Sequence, residues 1–370
     1  MLLDQHIEFK NVKGVGSINL QLSNKKMNVI IGSNGVGKTK TLESLYTQLF
    51  FTNKYVADNF YVYSDKIVFE KALINKTKVS DFIKMNSSYI RISDAIESKS
   101  FHDFPIIYLA AQNRGEIQQK QGNVDGAIGE FETRKKAYVK SVIDKMQYSF
   151  STLNMQGSID EWFIQRANSS NRYQLRENNR EVELLAVLRI LNQIDSRISA
   201  APEDFKSPDG ERVTIKLDGK IHYLSELSSG FASLIKIVQS IVAGYSYFTN
   251  SEDIEQVKGY VLIDEIESHL HIEWQTKILP LLTKIFPNTY FVITTHSSLV
   301  LTQLVDGAAY QLVQKNDVVV TELIQNAGQA ALIDLLDEAF GVSLNKLRLE
   351  NTTAESQSDM KKALLDLLGA

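Results

Sequence analysis

Two groups of residues in this sequence have the types and spacing needed to handle a phosphorylated ligand. The first is the segment Gly32-Ser33-Asn34-Gly35-Val36-Gly37-Lys38-Thr39, which matches the phosphate-loop pattern G-x-x-x-x-G-K-[ST] in full. Its glycines let backbone N–H groups turn towards phosphate, and the helix expected after it adds a positive end. Lys38 would reach the β- and γ-phosphates, and Thr39 would offer its hydroxyl to Mg²⁺. We predict nucleotide contacts at Asn34, Gly35, Val36, Gly37, Lys38, Thr39 and Lys40.

A pair of carboxylates forms the second group. The segment Tyr260-Val261-Leu262-Ile263 is an apolar strand that runs directly into Asp264 and Glu265. Ligands bind at the carboxyl ends of strands in open α/β sheets. Asp264 is therefore placed on the Mg²⁺ side, and Glu265 to polarise a water for attack on the γ-phosphate. Strand ends also carry acids as solvated caps, so this interpretation depends on the phosphate loop.

The elements that must position these residues are typical of an α/β core. A helix is predicted from Lys38 to about Phe50, and an apolar stripe predicts another from Glu181 to Ile198. Arg212 to Tyr223 is typical of a hairpin that turns at Asp218-Gly219. Alternating or continuous apolar runs predict strands at His6–Phe9, Ser17–Leu22, Met27–Ile31, Pro105–Ala110, Gly259–Ile263 and Tyr290–Thr294.

Composition limits the class of protein. The 370 residues carry a net charge of −4, which argues against a uniformly basic coat for nucleic acid. The absence of cysteine excludes disulfides, thiolate metal sites and a cysteine nucleophile. No signal peptide is evident, and no apolar run approaches the roughly 20 residues that span a membrane. We therefore expect a cytoplasmic protein.

Three further segments carry a resemblance. Leu227-Ser228-Ser229-Gly230-Phe231 resembles the ABC signature Leu-Ser-Gly-Gly-Gln, and Thr294-Thr295-His296-Ser297 resembles a switch-histidine loop. Ile263 to His271, with its Glu-x-His-Leu-His sequence, resembles the Walker B and D-loop segment of the RecF/SMC/OLD-like branch of ABC-type ATPases. Gln112 stands where a Q-loop is expected. Small bacterial ATPases of this branch act in DNA maintenance or anti-phage defence.

The resemblance implies a fold class, an activity and a composite site. The fold is α/β, a P-loop ABC-type ATPase head with a mixed sheet and a helical insertion. ATP and Mg²⁺ are the implied cofactors, and two heads enclose ATP head-to-tail. Two signature positions depart from the family: Ser229 replaces a glycine, and Phe231 replaces the usual glutamine or glutamate, which puts the contact across the dimer in doubt. In this implied site, one head contributes Lys38, Thr39, Gln112, Asp264, Glu265 and His296. Of these, Glu265 and His296 are the catalytic residues, and Thr39, Gln112 and Asp264 bind the metal. The other head contributes Ser228 and Gly230.

The same resemblance suggests an organisation and partners. We expect an N-terminal lobe at 1–113, a helical insertion at 114–205, a C-terminal lobe at 206–345 and a tail with a short helix at 346–370. The expected partners are a second copy of the chain, in a dimer or higher oligomer, nucleic acid, and a nuclease or other effector encoded separately. No membrane is expected. Two alternatives remain: a non-catalytic scaffold gated by nucleotide, and, less favoured, the ATPase subunit of a transporter.

Two other groups allow more than one interpretation. The basic stretch Arg134-Lys135-Lys136 with Lys140 and Lys145 is typical of a solvated helix face, and the alternative is a contact to a nucleic-acid backbone. His269 and His271 could suggest a metal pair, but no third ligand is evident nearby, so hydrogen bonding is favoured.

Overall fold

The computed structural model describes residues 3–83, 88–117, 128–155, 157–325 and 327–328. The expected tail at 346–370 lies outside these residues. The strands are β1 His6–Val12, β2 Gly16–Gln21, β3 Met27–Ile31, β4 Tyr61–Tyr63, β5 Lys71–Ile74, β6 Thr77–Asp81, β7 Tyr89–Arg91, β8 Ile106–Leu109, β9 Thr214–Leu217, β10 Lys220–Tyr223, β11 Gly259–Ile263, β12 Thr289–Thr294, β13 Ala308–Lys315 and β14 Val318–Ile324. The helices are α1 Lys38–Phe51, α2 Lys54–Asn59, α3 Ile92–Ala95, α4 Phe131–Tyr148, α5 Ile159–Asn168, α6 Glu181–Ile194, α7 Ser229–Thr249, α8 Ile272–Gln275, α9 Ile278–Ile285 and α10 Ser298–Leu301.

Ten of the strands form one mixed sheet in the order β6-β5-β1-β2-β14-β13-β3-β12-β11-β8. The run from β13 to β8 is parallel throughout. The strands β5, β1 and β2 pair antiparallel at the other side. Because β3, β12, β11 and β8 are parallel, the loops that follow them leave the same edge of the sheet. The phosphate loop, the acidic pair and the switch-histidine loop all follow these strands.

The central strands are apolar because both of their faces are covered. Every residue of β3, β8 and β11 is buried. This is the pattern of a parallel strand between helical layers, and it explains the continuous rather than alternating apolar runs. The predicted mixed sheet, with helices packed on it, is confirmed.

The helices of residues 114–205 pack on α7. Both α4 and α6 contact α7, and α5 contacts α6. Buried Glu183 of α6 pairs with Arg166 of α5 and with Arg180. The helix predicted to reach Ile198 ends at Ile194, because Asp195 is extended and Ile198 pairs with Leu217 of β9 instead. The division of the chain into lobes and an insertion stays a prediction.

The helix α7 has the length and apolarity of a membrane span. Among the described residues, Ser229–Thr249 alone reaches that length and composition, although polar residues interrupt its apolar run. However, 83% of its most apolar stretch is buried inside the domain. Lys236, in the middle of the helix, is buried as well. The helix is therefore a core element of this fold.

Candidate nucleotide-binding site

The phosphate loop connects β3 to α1 in a conformation that depends on glycine. Gly32, Gly35 and Gly37 have φ values of 156°, 78° and 104°, which L side chains rarely adopt. A Cβ on Gly32 would also lie 2.9 Å from Val36 Cγ1 and 3.1 Å from Leu312 O. Lys38 opens α1, and its Nζ donates to Gly32 O at 2.7 Å and Ser33 O at 3.0 Å. The loop therefore encloses the lysine that the sequence predicts to bind phosphate.

The structure joins the phosphate loop to the acidic strand. Thr39 Oγ1 donates to Asp264 Oδ2 at 2.9 Å, although the two residues are 225 positions apart. The other carboxylate oxygen, Oδ1, accepts from Thr294 Oγ1 at 2.6 Å. Thr294 Oγ1 in turn accepts from Glu265 N at 2.8 Å. One buried carboxylate thus connects the start of α1, the end of β11 and the end of β12.

Glu265 lies beside Asp264 in an unusual conformation. Its φ is 45°, in the left-handed region that is uncommon for a residue other than glycine. Its side chain is half-buried, and Oε2 accepts from Ser268 Oγ at 3.1 Å. Because Glu265 has left-handed backbone dihedral angles, the chain that follows it turns away from the direction of β11. Such conformations are held at functional sites by the surrounding structure.

Glu267 holds the switch-histidine loop. Its Oε2 accepts from Thr295 Oγ1 and its Oε1 accepts from His296 N, both at 2.6 Å. The imidazole of His296 is exposed, so the backbone is fixed while the ring faces solvent. Sequence reasoning included Glu267 only as part of a motif. No signal in the sequence points to this role, because Glu267 lies in the turn after β11, where the alternation of strand side chains no longer applies.

Arg114 is a residue to which sequence analysis gave no role. It is fully buried, and its guanidinium donates to four backbone carbonyls: Glu265 O at 2.8 Å, Leu109 O at 3.2 Å, Ala110 O at 2.7 Å and Asp264 O at 2.7 Å. These carbonyls belong to the ends of β8 and β11. Arg114 therefore fixes the two strand ends together directly below the acidic pair. Burial lowers the pKa of Arg114 to about 10, so the side chain remains a cation at neutral pH.

Burial sets the charge balance at the site. It raises the pKa of Asp264, against the hydrogen bonds from Thr294 and Thr39, which lower it. Burial also lowers the pKa of Lys38, and the neighbouring Glu265, Asp264 and Glu267 oppose that shift. Both groups are thus partly deprived of water, and nearby opposite charges favour their charged forms: Arg114 acts on Asp264, and the three carboxylates act on Lys38. A phosphate and a divalent cation between them would supply the missing opposite charges.

The donor set suits Mg²⁺ with ATP. Mg²⁺ prefers oxygen ligands and is usually bound by one or two carboxylates together with phosphate oxygens and water. Thr39 and Asp264 provide a hydroxyl and a carboxylate in contact. Gln112, by contrast, is exposed on the turn after β8, and in the described part of the chain no hydrogen bond joins it to Thr39 or Asp264. Its role at the metal stays a prediction.

The signature segment lies at the amino end of α7. Ser228 is the N-cap and is exposed, while Gly230 is buried. A Cβ on Gly230 would lie 3.1 Å from His269 O and 3.1 Å from the ring of Trp274. Among the residues that the structure describes, no hydrogen bond links Ser228 to the phosphate loop of the same chain. The exposed Ser228 and the amino end of a 21-residue helix are free to face another molecule.

The departure at Phe231 has a structural explanation. Its ring packs against Trp274 with centroids 4.7 Å apart and nearly perpendicular planes. The guanidinium of Arg197 lies 5.4 Å from the centroid of the same ring. Phe231 thus fixes α7 to the segment after the acidic strand, and the guanidinium of Arg197 beside its ring is paired with Asp195.

The two histidines that could suggest a metal pair have other contacts. His271 Nδ1 accepts from Glu273 N at 3.4 Å and caps α8, and His269 packs so closely on Gly115 that a Cβ there would lie 2.7 Å from its ring. Within the described ranges, no group of three side chains of His, Cys, Asp or Glu could hold a metal.

The basic stretch on α4 divides into buried and exposed residues. Arg134 is buried, and Lys135 lies 4.2 Å from the ring centroid of Tyr55. The exposed face carries charges of both signs, at Glu132, Lys136, Lys140 and Asp144. This mixture favours a solvated face over a stripe for a nucleic-acid backbone.

Several known proteins are similar to this chain in sequence. Residues 134–302 match the family described as "AAA domain, putative AbiEii toxin, Type IV TA system". The Septu protein PtuA of Bacillus thuringiensis is 26% identical over 313 residues, which are 80% of this chain and 72% of that protein. The "Retron Vc95 probable ATPase" of Vibrio cholerae is 31% identical over 186 residues, 48% of this chain and 34% of that protein.

These comparisons confirm the predicted resemblance to small ABC-type ATPases of the RecF/SMC/OLD-like branch. The fold of the chain is a P-loop fold with a large mixed sheet. The chain spans only about a third of the retron relative's length. A solved SMC head, bound to the C-terminal winged-helix domain of ScpA, matches 86% of this chain and 96% of that chain at 12% identity, with a TM-score of 0.47.

Proposed function

We propose that the protein binds ATP with Mg²⁺ at this site, hydrolyses it, and closes head-to-tail with a second copy around the nucleotide. The observation that carries the proposal is the hydrogen bond of 2.9 Å between Thr39 and Asp264. It brings together the phosphate-loop hydroxyl and the strand-end carboxylate, the two groups that hold Mg²⁺ in P-loop ATPases. Bound Mg²⁺ would neutralise charge on the β- and γ-phosphates.

The residues of one head have separate tasks in this proposal. Lys38 and the loop N–H groups bind phosphate, and Asp264 orients the metal-bound nucleotide. Glu265 accepts the proton of the attacking water, because it is the carboxylate next to Asp264 that makes no contact with Thr39 or Thr294 through its side chain. His296 faces solvent beside it and would contact the γ-phosphate.

The second head completes the site. Ser228 and the N–H groups that begin α7 form an anion site that is exposed in the single chain. Facing the γ-phosphate of the opposite head, they would make the phosphate part of the interface. Hydrolysis would then remove a shared contact and allow the heads to separate, so that the dimer acts as a switch.

The similarity to PtuA and to a retron ATPase supports a role in defence against phage. We propose that the switch regulates an effector encoded separately, such as a nuclease, and that nucleic acid is the signal. The mixed charges on α4 give no support to that helix as the contact surface.

The central test compares Glu265→Gln with the wild-type chain. The amide keeps the size of the side chain and the contact with Ser268, but it cannot take the proton of water. Phosphate release should fall by about 10²–10⁴-fold, while ATP binding measured by calorimetry stays within a few-fold. Glu252→Gln, at an exposed glutamate beyond the other end of α7, is the matched control and should hydrolyse at the wild-type rate.

A second variant separates binding from chemistry. Lys38→Ala should lose most ATP affinity, because Lys38 is placed to bind phosphate. If Glu265→Gln hydrolyses ATP at the wild-type rate, Glu265 is not the base. If the wild-type chain binds ATP but shows no turnover with or without DNA, the nucleotide gates a non-catalytic scaffold instead.

A further inference from the structure

A cleft between α4, α5 and α7 lies apart from the nucleotide site. It consists of two adjoining cavities of about 270 and 310 Å³. Both are lined by Tyr138, Ser141, Gln165 and Tyr247, so they adjoin. We call the cavity that Arg134 and Arg166 also line the first end of the cleft, and the cavity that Trp162 and Lys236 line its second end. The guanidinium of Arg166 lies 4.8 Å from the ring centroid of Trp162, so the two ends meet there.

The first end has an excess of buried positive charge. Arg166 donates to Glu183 Oε2 at 3.0 Å, and Arg180 pairs with Glu183 Oε1. Arg134 is the third guanidinium in this group, and its neighbours are the same single carboxylate and the two other arginines. Three buried guanidinium groups therefore share one carboxylate among the described residues. Buried charges without partners are costly, so such an excess indicates a place for anions.

Arg134 is the arginine with unused donors. It is 6% exposed, and its Nη2 donates to Asn250 Oδ1 at 2.9 Å. Its Nε and Nη1 are buried without a hydrogen-bond partner in the described part of the chain. Buried donors in folded proteins nearly always have partners. Each of these two donors, at the edge of a cavity, can give a separate charge-assisted hydrogen bond to a phosphate or carboxylate oxygen.

The second end also offers donors. The indole Nε1 of Trp162, a residue 7% exposed, is buried and has no partner among the described residues. Lys236 is buried and donates to Asn113 O at 2.5 Å and Met155 O at 3.0 Å, which leaves one of its three protons. Between the two ends lie the rings of Tyr138 and Tyr247, stacked 4.5 Å apart.

We propose that this cleft binds a small phosphorylated molecule, with its phosphate on Arg134 and the rest of the molecule extending towards Trp162 and Lys236. A phosphate dianion matches the charge excess of the three arginines over Glu183. The enclosed volume fits a small molecule, and the buried position of Arg134 excludes a polymer backbone that stays on the surface. The site is separate from the one that binds ATP.

The test uses the full chain with inorganic pyrophosphate as the probe. Lys38→Ala serves as the parent, because it removes phosphate binding at the loop. Calorimetry should detect binding to this parent. Adding Arg134→Gln should weaken it at least about tenfold, since hydrogen bonds to charged groups are strong. Adding Lys136→Gln, an exposed lysine on the same helix, is the matched control and should leave the affinity unchanged.

Folding is checked by thermal unfolding without pyrophosphate. Arg134→Gln should not lower the melting temperature, because it removes an unpaired buried charge. If the melting temperature does fall, Arg134→Lys is the second variant. It keeps the positive charge but has no guanidinium group, so it should bind pyrophosphate with an affinity between those of the parent and Arg134→Gln. The proposal is overturned if the parent binds no pyrophosphate, or if Arg134 variants bind as the parent does. Arg134-dependent binding of a single-stranded DNA oligonucleotide without binding of pyrophosphate would overturn it in favour of a nucleic-acid contact.

Discussion

At the scale of single residues, the acidic pair depends on one hydroxyl. Thr294 Oγ1 donates to Asp264 Oδ1 and accepts from Glu265 N, at 2.6 and 2.8 Å. A hydroxyl has one proton to donate, and here that proton stabilises the ionised form of a buried carboxylate. The same contact fixes the backbone of Glu265 in its left-handed conformation. One side chain on β12 thus supports the carboxylate of Asp264 and the backbone of Glu265, directly after β11.

Removing this hydroxyl should change how metal binding depends on pH. Burial already raises the pKa of Asp264, and the hydrogen bond from Thr294 lowers it. Thr294→Val should therefore raise that pKa further. Mg²⁺ binding needs the ionised carboxylate, so acidifying the solution should weaken Mg²⁺-dependent ATP binding. In Thr294→Val this loss of affinity should begin at a higher pH than in the wild type.

Calorimetric titrations with MgATP between about pH 5 and 8 would measure this shift, and Thr294→Ser is the control because it keeps the hydroxyl. A profile for Thr294→Val that coincides with the wild-type profile would show that Asp264 does not titrate in the binding step.

At the scale of elements, the contact of α7 with the sheet is unusually close. A Cβ on Gly244 would clash with the side chain of Ile107 on β8. The chain therefore has a glycine in the middle of a 21-residue helix, where glycine costs roughly 1 kcal/mol relative to alanine. Close approach of α7 also places Lys236 within reach of the loop after β8. Packing, rather than helix propensity, explains this glycine.

The variant Gly244→Ala should consequently destabilise the protein by about 1–3 kcal/mol, the usual effect of overpacking, despite the better helix propensity of alanine. Urea unfolding would measure the free energy. Gly157→Ala is a control, because a Cβ at Gly157 meets no atom within 4 Å. In a double-mutant cycle, Ile107→Ala should relieve the clash, so the double variant loses less stability than the sum of the two single variants.

At the scale of the whole molecule, no hydrogen bond among the described residues joins Ser228 of the signature segment to the phosphate loop of the same chain. Ser228 is exposed at the start of α7, and its side chain makes no cap hydrogen bond. The N–H groups at that end of the helix are suited to an anion. A second copy in head-to-tail orientation would bring this end to the nucleotide on the phosphate loop.

Blocking that surface should prevent assembly without preventing nucleotide binding. Ser228→Arg places a large side chain at the proposed interface, so ATP should bind to single heads but should no longer drive dimer formation. Glu265→Gln should have the opposite effect and accumulate the closed dimer with ATP. Size-exclusion chromatography with light scattering would report both states, with Thr133→Arg, at an exposed position on α4, as the control.

The head-to-tail arrangement is wrong if Ser228→Arg and Glu265→Gln have the same oligomeric state in ATP. It is also wrong if Thr133→Arg prevents assembly as effectively as Ser228→Arg, since a charge at any exposed position would then have the same effect.

The sequence alone determined those parts of this protein whose local backbone conformation requires particular residue types. The phosphate loop needs glycines and a lysine at set positions, and the acidic strand needs a buried apolar run, so Lys38, Thr39 and Asp264 could be predicted together. The turn at Asp218-Gly219 was predicted for the same reason, and β9 and β10 confirm it. The similar turn at Asn316-Asp317, where both residues have positive φ, contains no glycine and was missed, together with β13 and β14.

Contacts between distant segments were decided only by the tertiary structure. Arg114 shows no motif, and its role follows from two strand ends that meet only in the folded sheet. Arg134 looks like part of a basic surface stretch, yet packing of α4 on α7 buries it beside Arg166. Sequence patterns indicate the local backbone conformation at a residue and the face of a helix or strand on which the residue lies. Burial and partners depend on which segments fold against it, and those segments are far away along the chain.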